Sequence, residues 1–220
     1  MIRLSLLLLL VAGLATPVVA LPLKADFAMR SDYRNRGLSV TNRRPVLQGN
    51  FTLDLPAGGF ALAAVSPFTN DGRGVELVLG GGISRKWRGT EFQLSANASL
   101  YPGQWRDNLF EIGASATRPV GPVELGVSLV YAPPQRSTGH GANLYSAVSA
   151  RLPLAHTPFA LRGTAGIESG ALGHGKRDWS LGSEVEVRGL TLGADWVGSS
   201  RTAADPMGRS ALVFSVSREI

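Results

Sequence analysis

Between residues 91 and 103 the chain reads EFQLSANASLYPG, and its first ten positions alternate strictly in polarity. Glu91, Gln93, Ser95, Asn97 and Ser99 share one parity; Phe92, Leu94, Ala96, Ala98 and Leu100 share the other. Successive side chains of an extended strand point to opposite faces, so this segment has one polar and one apolar face. A tilted strand needs about 9–11 residues to cross a bilayer. The pattern stops at Tyr101, Pro102 and Gly103, an aromatic followed by a turn signal.

The alternation recurs along the chain. Strands are expected at 24–34, 45–55, 59–68, 74–85, 90–101, 108–118, 122–132, 142–152, 158–168, 178–188, 189–199 and 209–219. Phe110, Ile112, Ala114 and Ala116 alternate with Glu111, Gly113, Ser115 and Thr117, and Trp179, Leu181, Val185 and Val187 oppose Ser180, Glu184, Glu186 and Arg188. No window carries a helical period, and no later stretch approaches the roughly 18 apolar residues of a membrane helix. A chain of this kind that enters a membrane must do so as a closed barrel, because only closure satisfies every strand's backbone in lipid.

The connections sharpen this expectation. Long or medium ones, at 35–44, 69–73 (medium), 102–107, 133–141, 169–177 and 200–208, take turns with short ones at 56–58, 86–89, 119–121, 153–157 and 188–189. Alternating long and short loops are the pattern of an outer-membrane barrel. The fold expected for residues 21–220 is therefore all-β, a single antiparallel up-and-down transmembrane barrel of about twelve strands. Residues 1–20 read as a cleaved secretory signal peptide: Arg3, an apolar run over 6–14, and the small-residue site Val18-Val19-Ala20. Localisation in the outer membrane of a Gram-negative bacterium follows from the two together.

Composition excludes other classes. There is no cysteine, hence no disulfide framework and no thiolate metal site. The net charge of +6, or +5 once Arg3 is removed, comes with no basic run interleaved with aromatics, so nucleic acid is not a partner. The partners expected are outer-membrane lipid and lipopolysaccharide, small polar solutes and the barrel-assembly machinery; no cofactor or metal is expected.

The polar parity is expected to line a pore through Glu91, Gln93, Glu111, Glu124, Arg151, Arg162, Glu168, Glu184, Glu186 and Asp195. Facing lipid, such charges would each cost roughly 2–4 kcal/mol near the midplane. Glycine and serine between them leave room inside. The long loops concentrate Arg36, Arg43, Arg44, Arg73, Arg106, Arg136, Lys176, Arg177 and Arg201, read as external basic groups for lipopolysaccharide phosphates. Phe60, Phe68, Trp87, Tyr101, Trp105, Tyr131, Phe159 and Trp179 fall near expected strand ends, as interfacial aromatic girdles do.

One stretch carries a family resemblance. Ser31, Asp32, Tyr33, Arg34, Arg36 and Gly37 form a Ser-Asp-Tyr-Arg-x-Arg-Gly pattern, followed by Pro45, Gln48 and Gly49. With Tyr101-Pro102-Gly103, Glu111, and Tyr131 with Pro133, this resembles the TorF-like porins, small proteobacterial outer-membrane proteins. The resemblance implies an outer-membrane channel and supplies no catalytic residues. The chain departs from it at Asn35, where an aromatic is usual, and at Ile220, where the terminal aromatic of the assembly signal is replaced.

Catalytic signals are weak. His140, His156 and His174 all fall in connections, and only Ser137 stands near one of them as a possible nucleophile. Residues 170–176 imitate a phosphate loop, but Arg177 replaces the required Ser or Thr and a strand follows. Gly80-Gly81-Gly82 lies inside a strand and reads as curvature or close packing. The sequons at Asn50 and Asn97 fall in strands and read as chance. The expected function is thus a non-enzymatic small porin passing polar solutes by diffusion. The alternatives are a closed-lumen structural or adhesion barrel, a barrel-embedded hydrolase, and a soluble periplasmic sandwich or ligand-binding barrel.

Overall fold

A computed structural model describes residues 22–68, 74–200 and 206–220; the expected signal peptide lies outside them. The strands are β1 (Leu23–Arg30), β2 (Arg34–Asn35), β3 (Leu38–Ser39), β4 (Val46–Asp54), β5 (Gly59–Phe68), β6 (Gly74–Trp87) and β7 (Thr90–Leu100). They continue as β8 (Leu109–Val120), β9 (Val123–Ala132), β10 (Asn143–Pro153), β11 (Phe159–Gly170), β12 (Lys176–Val187), β13 (Leu190–Ser199) and β14 (Ala211–Glu219).

Twelve of these close one barrel, in the order β1, β14 and then downward to β4, each strand beside its chain neighbour. Every pairing is antiparallel, and the seam between β1 and β14 runs from Asp26 opposite Glu219 to Arg30 opposite Ser215. The barrel is therefore up-and-down, as the sequence predicts. Eleven barrel strands match their expected spans to within two residues at each end. β1 instead ends at Arg30, because Ser31 turns back onto β14: its amide donates to the Phe214 carbonyl, and its hydroxyl accepts from the Phe214 amide, both at 2.9 Å. The connection expected at 169–177 is shorter, because β11 runs to Gly170 and β12 starts at Lys176.

Short turns sit at the end that holds both termini. One is Arg88-Gly89, whose two residues have φ of +48° and +80°, the left-handed pair that a tight hairpin of this twist requires. Long connections sit at the opposite end.

The barrel is inside out relative to a water-soluble domain. Among the described residues the fully buried apolar side chains are small, such as Ala28, Ala132 and Ala160, while Asp32, Glu76, Asn143, Glu168, Lys176 and Asp178 are buried polar ones. Large apolar groups cover the outside: Leu94 is 58% exposed, Leu181 68% and Phe214 55%. An apolar belt of this extent marks a surface that faces something other than water.

Candidate functional site: a plugged polar lumen

Residues 31–45 form the first long connection, and they do not project outward. They fold into the lumen as a plug tipped by the β2–β3 hairpin, Arg34 opposite Ser39 and Asn35 opposite Leu38. The tip residues Arg36 and Gly37 have φ of +48° and +80°. Glycine is needed at the second position twice over. Its conformation is left-handed, and a Cβ there would come within 2.5 Å of the Gly198 carbonyl oxygen and 2.7 Å of Asp178 Cβ.

Asp32 organises the plug from within. Its carboxylate accepts from Arg34 Nε at 2.8 Å and from the Ser39 hydroxyl at 2.6 Å. Arg34 then reaches the wall, donating through Nη1 to the carbonyls of Val197 at 3.2 Å and Arg209 at 2.8 Å. The backbone amide of Val40 closes the hairpin onto the Tyr33 carbonyl at 2.9 Å.

Arg36 ties the tip to strands across the lumen. Nη2 donates to Glu111 on β8 and Nη1 to Glu168 on β11, both at 2.7 Å. Its guanidinium lies 4.7 Å over the Tyr145 ring. Lys176 on β12 adds two contacts, an ion pair to Glu168 at 3.0 Å and a short hydrogen bond to the Arg36 carbonyl. Burial works against the Arg36 charge, but the two carboxylates outweigh it and hold its pKa above the ordinary value. Such charge-assisted, two-sided contacts are among the stronger polar interactions available to a side chain.

The opposite flank of the plug meets Glu76 on β6. Tyr101 donates to that carboxylate at 2.9 Å, and Tyr33 approaches it at 3.5 Å. Burial and then the Glu76 charge push the Tyr33 phenol up to about 12, and the same two causes raise Tyr101. The residues that carry the family resemblance thus converge here: Asp32, Tyr33, Arg34, Arg36 and Gly37 build the plug, and Tyr101 and Glu111 belong to the network around it.

Below the plug lies a cavity of about 530 Å³ whose lining includes Arg30, Asn50, Tyr145, Arg162, Asp178 and Asp195. Two of its lining groups, Arg34 Nη2 and Asp178 Oδ2, are buried without a hydrogen-bond partner among the described residues. A smaller cavity of about 190 Å³ shares Arg162, Thr164 and Ser180 with it. A third, of about 440 Å³ at the turn end, shares Arg151 with the second. These spaces follow one another from the plug toward the turn-end mouth. Arg162 is the central charge along them, paired with Glu184 at 2.6 Å and Asp195 at 2.5 Å, while Arg151 reaches Glu184 at 2.7 Å.

All ten residues expected to line a pore lie on the inward parity. Asn97 opposite Glu111, Glu124 opposite Arg151, and Gly182 opposite Asp195 fix the register. Within that set the ion pairs bring together Arg151, Arg162, Glu184 and Asp195, and separately Glu111 and Glu168 through Arg36. Glu91, which accepts from Ser84 at 2.8 Å, stands apart toward the turn end with Gln93, Glu124 and Glu186.

The external basic group needs correction. Arg36 and Lys176 are inside the lumen, with side chains only 14% and 1% exposed, because buried carboxylates await them there. Arg177 belongs to β12 and lies on the outer wall, not in a loop. Arg43 and Arg44 are exposed at the loop end, Arg106 lies in the 3-10 turn Trp105–Asp107, and Arg136 begins the turn Arg136–Thr138. Arg73 and Arg201 lie outside the described residues.

The aromatic girdle needs correction at two residues as well. Trp87, Tyr131, Phe159 and Trp179 are exposed on the outer face. Phe60 instead points inward, and a Cβ on Gly82 would sit 2.7 Å from its ring. The glycine run is therefore close packing, since Gly82 admits the Phe60 ring and Gly80 abuts Asn97. Tyr101 also turns inward, onto Glu76.

No group of acidic or histidine side chains suited to a metal occurs among the described residues. His140, His156 and His174 occupy turns with positive φ. The Ser137 hydroxyl is buried with no hydrogen-bond partner among the described residues, so it does not pair with His140.

A closed twelve-stranded barrel with an apolar outside and a charged, cavity-bearing inside is a porin-like barrel. The chain belongs to the bacterial family of unknown function termed Gcw_chp, whose profile matches residues 14–218. Among solved structures it is similar to the KdgM porin, with a TM-score of 0.61, 6% identity, and coverage of 89% of this chain and 97% of that one. It is likewise similar to the KdgM porin in complex with disordered oligogalacturonate, at a TM-score of 0.59, 8% identity, and 89% and 97% coverage. The NanC porin matches at a TM-score of 0.59, with 7% identity over 89% of this chain and 98% of that one. At these identities the likeness is one of fold. No curated protein matches the chain.

Proposed function

We propose that the protein is a small outer-membrane porin through which polar solutes diffuse passively, with the plug setting how freely they pass. The observation that carries this is the series of polar cavities running from beneath Arg36 to the turn-end mouth. The apolar belt and the porin neighbours support it, as does the likeness of residues 31–49 to TorF-like porins. The signal peptide over residues 1–20 delivers the chain across the inner membrane, and the assembly machinery inserts it with its termini in the periplasm. Loop-end Arg43, Arg44, Arg106 and Arg136 then face lipopolysaccharide. One structural neighbour is seen with an oligogalacturonate, and a hydroxylated, polar solute also suits this lining of arginines, carboxylates, amides and tyrosines.

Conductance across planar bilayers tests the proposal. Purified protein is expected to give discrete openings, and Arg36→Ala to raise their frequency or size. Silence from both proteins at every voltage would replace the porin with a closed structural barrel.

A further inference from the structure

The lumen carries its charge unevenly. Among the described residues, carboxylates outnumber cations on the inward faces of the barrel strands. Part of that excess stands away from the cavities, since none of Glu76, Glu91 and Glu111 lines any of the three. Glu76 accepts from the Tyr101 hydroxyl, Glu91 from Ser84, and Glu111 is tied to Arg36. The passage from the first cavity to the turn-end mouth instead follows β10 to β13.

Four charges there form one unbroken chain, one from each of these successive strands. Arg151 on β10 donates through Nε to Glu184 on β12 at 2.7 Å. Arg162 on β11 donates through Nη1 to the other oxygen of Glu184 at 2.6 Å. Its Nε and Nη2 grip Asp195 on β13 at 2.8 and 2.5 Å. Arg151 and Arg162 are directly opposite one another, a like-charge pair that repels unless Glu184 joins it. Glycine makes room for this reach. Gly182 is opposite Arg162 on one side and Asp195 on the other, so the guanidinium crosses β12 over a position with no side chain. A Cβ on Gly193 would come within 2.5 Å of Arg162 Nη2.

The same arginines stand where one cavity gives way to the next. Arg162, Thr164 and Ser180 line both the first and the second, and the Thr164 and Ser180 hydroxyls are 2.6 Å apart. Arg151 lines both the second and the third. Each step of the route therefore passes a guanidinium held by Glu184.

We infer that the chain Arg151–Glu184–Arg162–Asp195 is the charge filter of the solute route, and that it is set to neutrality, two guanidiniums against two carboxylates. An ion in a narrow aqueous passage responds most to the nearest fixed charges, because interactions weaken with distance and those beyond about 8 Å are screened at physiological salt. Ions of either sign gain little here. Uncharged hydroxylated solutes are favoured, since their hydroxyls accept from guanidinium and donate to carboxylate alike. The acidic excess elsewhere on the wall does not make the pore cation-selective. This filter rests on the porin reading and names the residues that decide what passes.

Planar bilayers holding a potassium chloride gradient test it, on the same openings that test the porin reading. The wild type is expected to pass potassium and chloride almost equally. Glu184→Gln leaves two opposed arginines with one carboxylate and turns the permeability ratio toward chloride by roughly sevenfold, the change expected on losing one unit charge about 7 Å from an ion in water. Arg162→Gln turns it toward potassium by a similar factor, while Arg162→Lys, which keeps the charge, stays near the wild type. Glu91→Gln, off the route, leaves the ratio unchanged. A wild type that strongly prefers potassium overturns the filter and leaves the porin reading standing. So does a Glu91→Gln shift as large as that of Glu184→Gln, or a conducting channel whose ratio neither filter substitution moves. Silence from every protein overturns the porin reading and the filter together.

Discussion

The two ends of the lumen are built from the same alternating strands and treat charge in opposite ways. At the plug end the ionic groups are sealed away: Glu168 is 6% exposed and Lys176 1%. At the turn end the Lys24–Asp54 pair, 2.9 Å long against 3.0 Å for Lys176–Glu168, is 56% and 42% exposed, and Arg151 is 48% exposed. Distance does not separate the two classes; solvent does. An exposed pair contributes about 0–1 kcal/mol, whereas stripping one partner from a buried pair costs about 3–5 kcal/mol. The plugged end is thus the end where polar groups have replaced water with one another.

The largest effect that could break this contrast is Arg36→Ala. It leaves Glu111 and Glu168 without their shared cation and is expected to destabilise the plug by about 3–5 kcal/mol. Hydrogen exchange at the Val40 amide, bonded to the Tyr33 carbonyl, measures this directly. Unchanged exchange would mean that the plug is held by something other than its tip.

Alkaline pH should act next, and on the same end. Because the Tyr33 pKa rises from 10.0 to about 12 in the folded plug, the folded state binds its proton more tightly. The stability this confers is complete below pH 10 and is lost as pH climbs toward 12, by about 2 kcal/mol. Faster Val40 exchange over that window, accompanied by phenolate absorbance, is the expected result; a flat profile would separate Tyr33 from plug closure.

Two glycines with the same φ of +80° sharpen the comparison further. Gly37→Ala adds a clash with Gly198 and Asp178 to an unfavourable conformation, whereas Gly89→Ala meets open space. Thermal unfolding should show a cost of about 2–3 kcal/mol for the first and about 1 kcal/mol for the second. Equal costs would mean that the plug yields to the added methyl. The smallest effect is expected for Arg151→Gln at the turn end, under about 1 kcal/mol and diminished by salt. A loss comparable to that of Arg36→Ala would abolish the distinction between the ends.

The wall was legible in the sequence because a period of two is a local property. Leu94, Ala96 and Ala98 cannot change face without Ser95, Asn97 and Ser99 changing too. The plug was less legible, since loop length says nothing about whether a connection turns in or out. The signal that could have found it is local polar pairing: the Asp32 carboxylate is bonded by Arg34, Ser39 and Thr41 within ten residues, as a charge leaving water must be. Lys176 was missed because β12 begins at that residue, two positions before the expected strand. Glu76, hidden on the glycine-rich parity of β6, offered no local sign that Tyr33 and Tyr101 would seek it. Phe60 was placed at the rim by its position, yet its ring needed Gly82 as a neighbour, and pairing across strands decides that.

The plug's fastenings also impose an order in time. Arg34 bonds residues 163 and 175 positions further along the chain, and Arg36 one that is 132 positions away. Those partners are on β11, β13 and the segment before β14, the last parts of the wall to be synthesised. The first connection to emerge is therefore the last to find its seat, and a barrel whose final strands are missing or misregistered leaves Arg34 and Arg36 with nothing to hold. A seated plug is a record that the whole wall has closed.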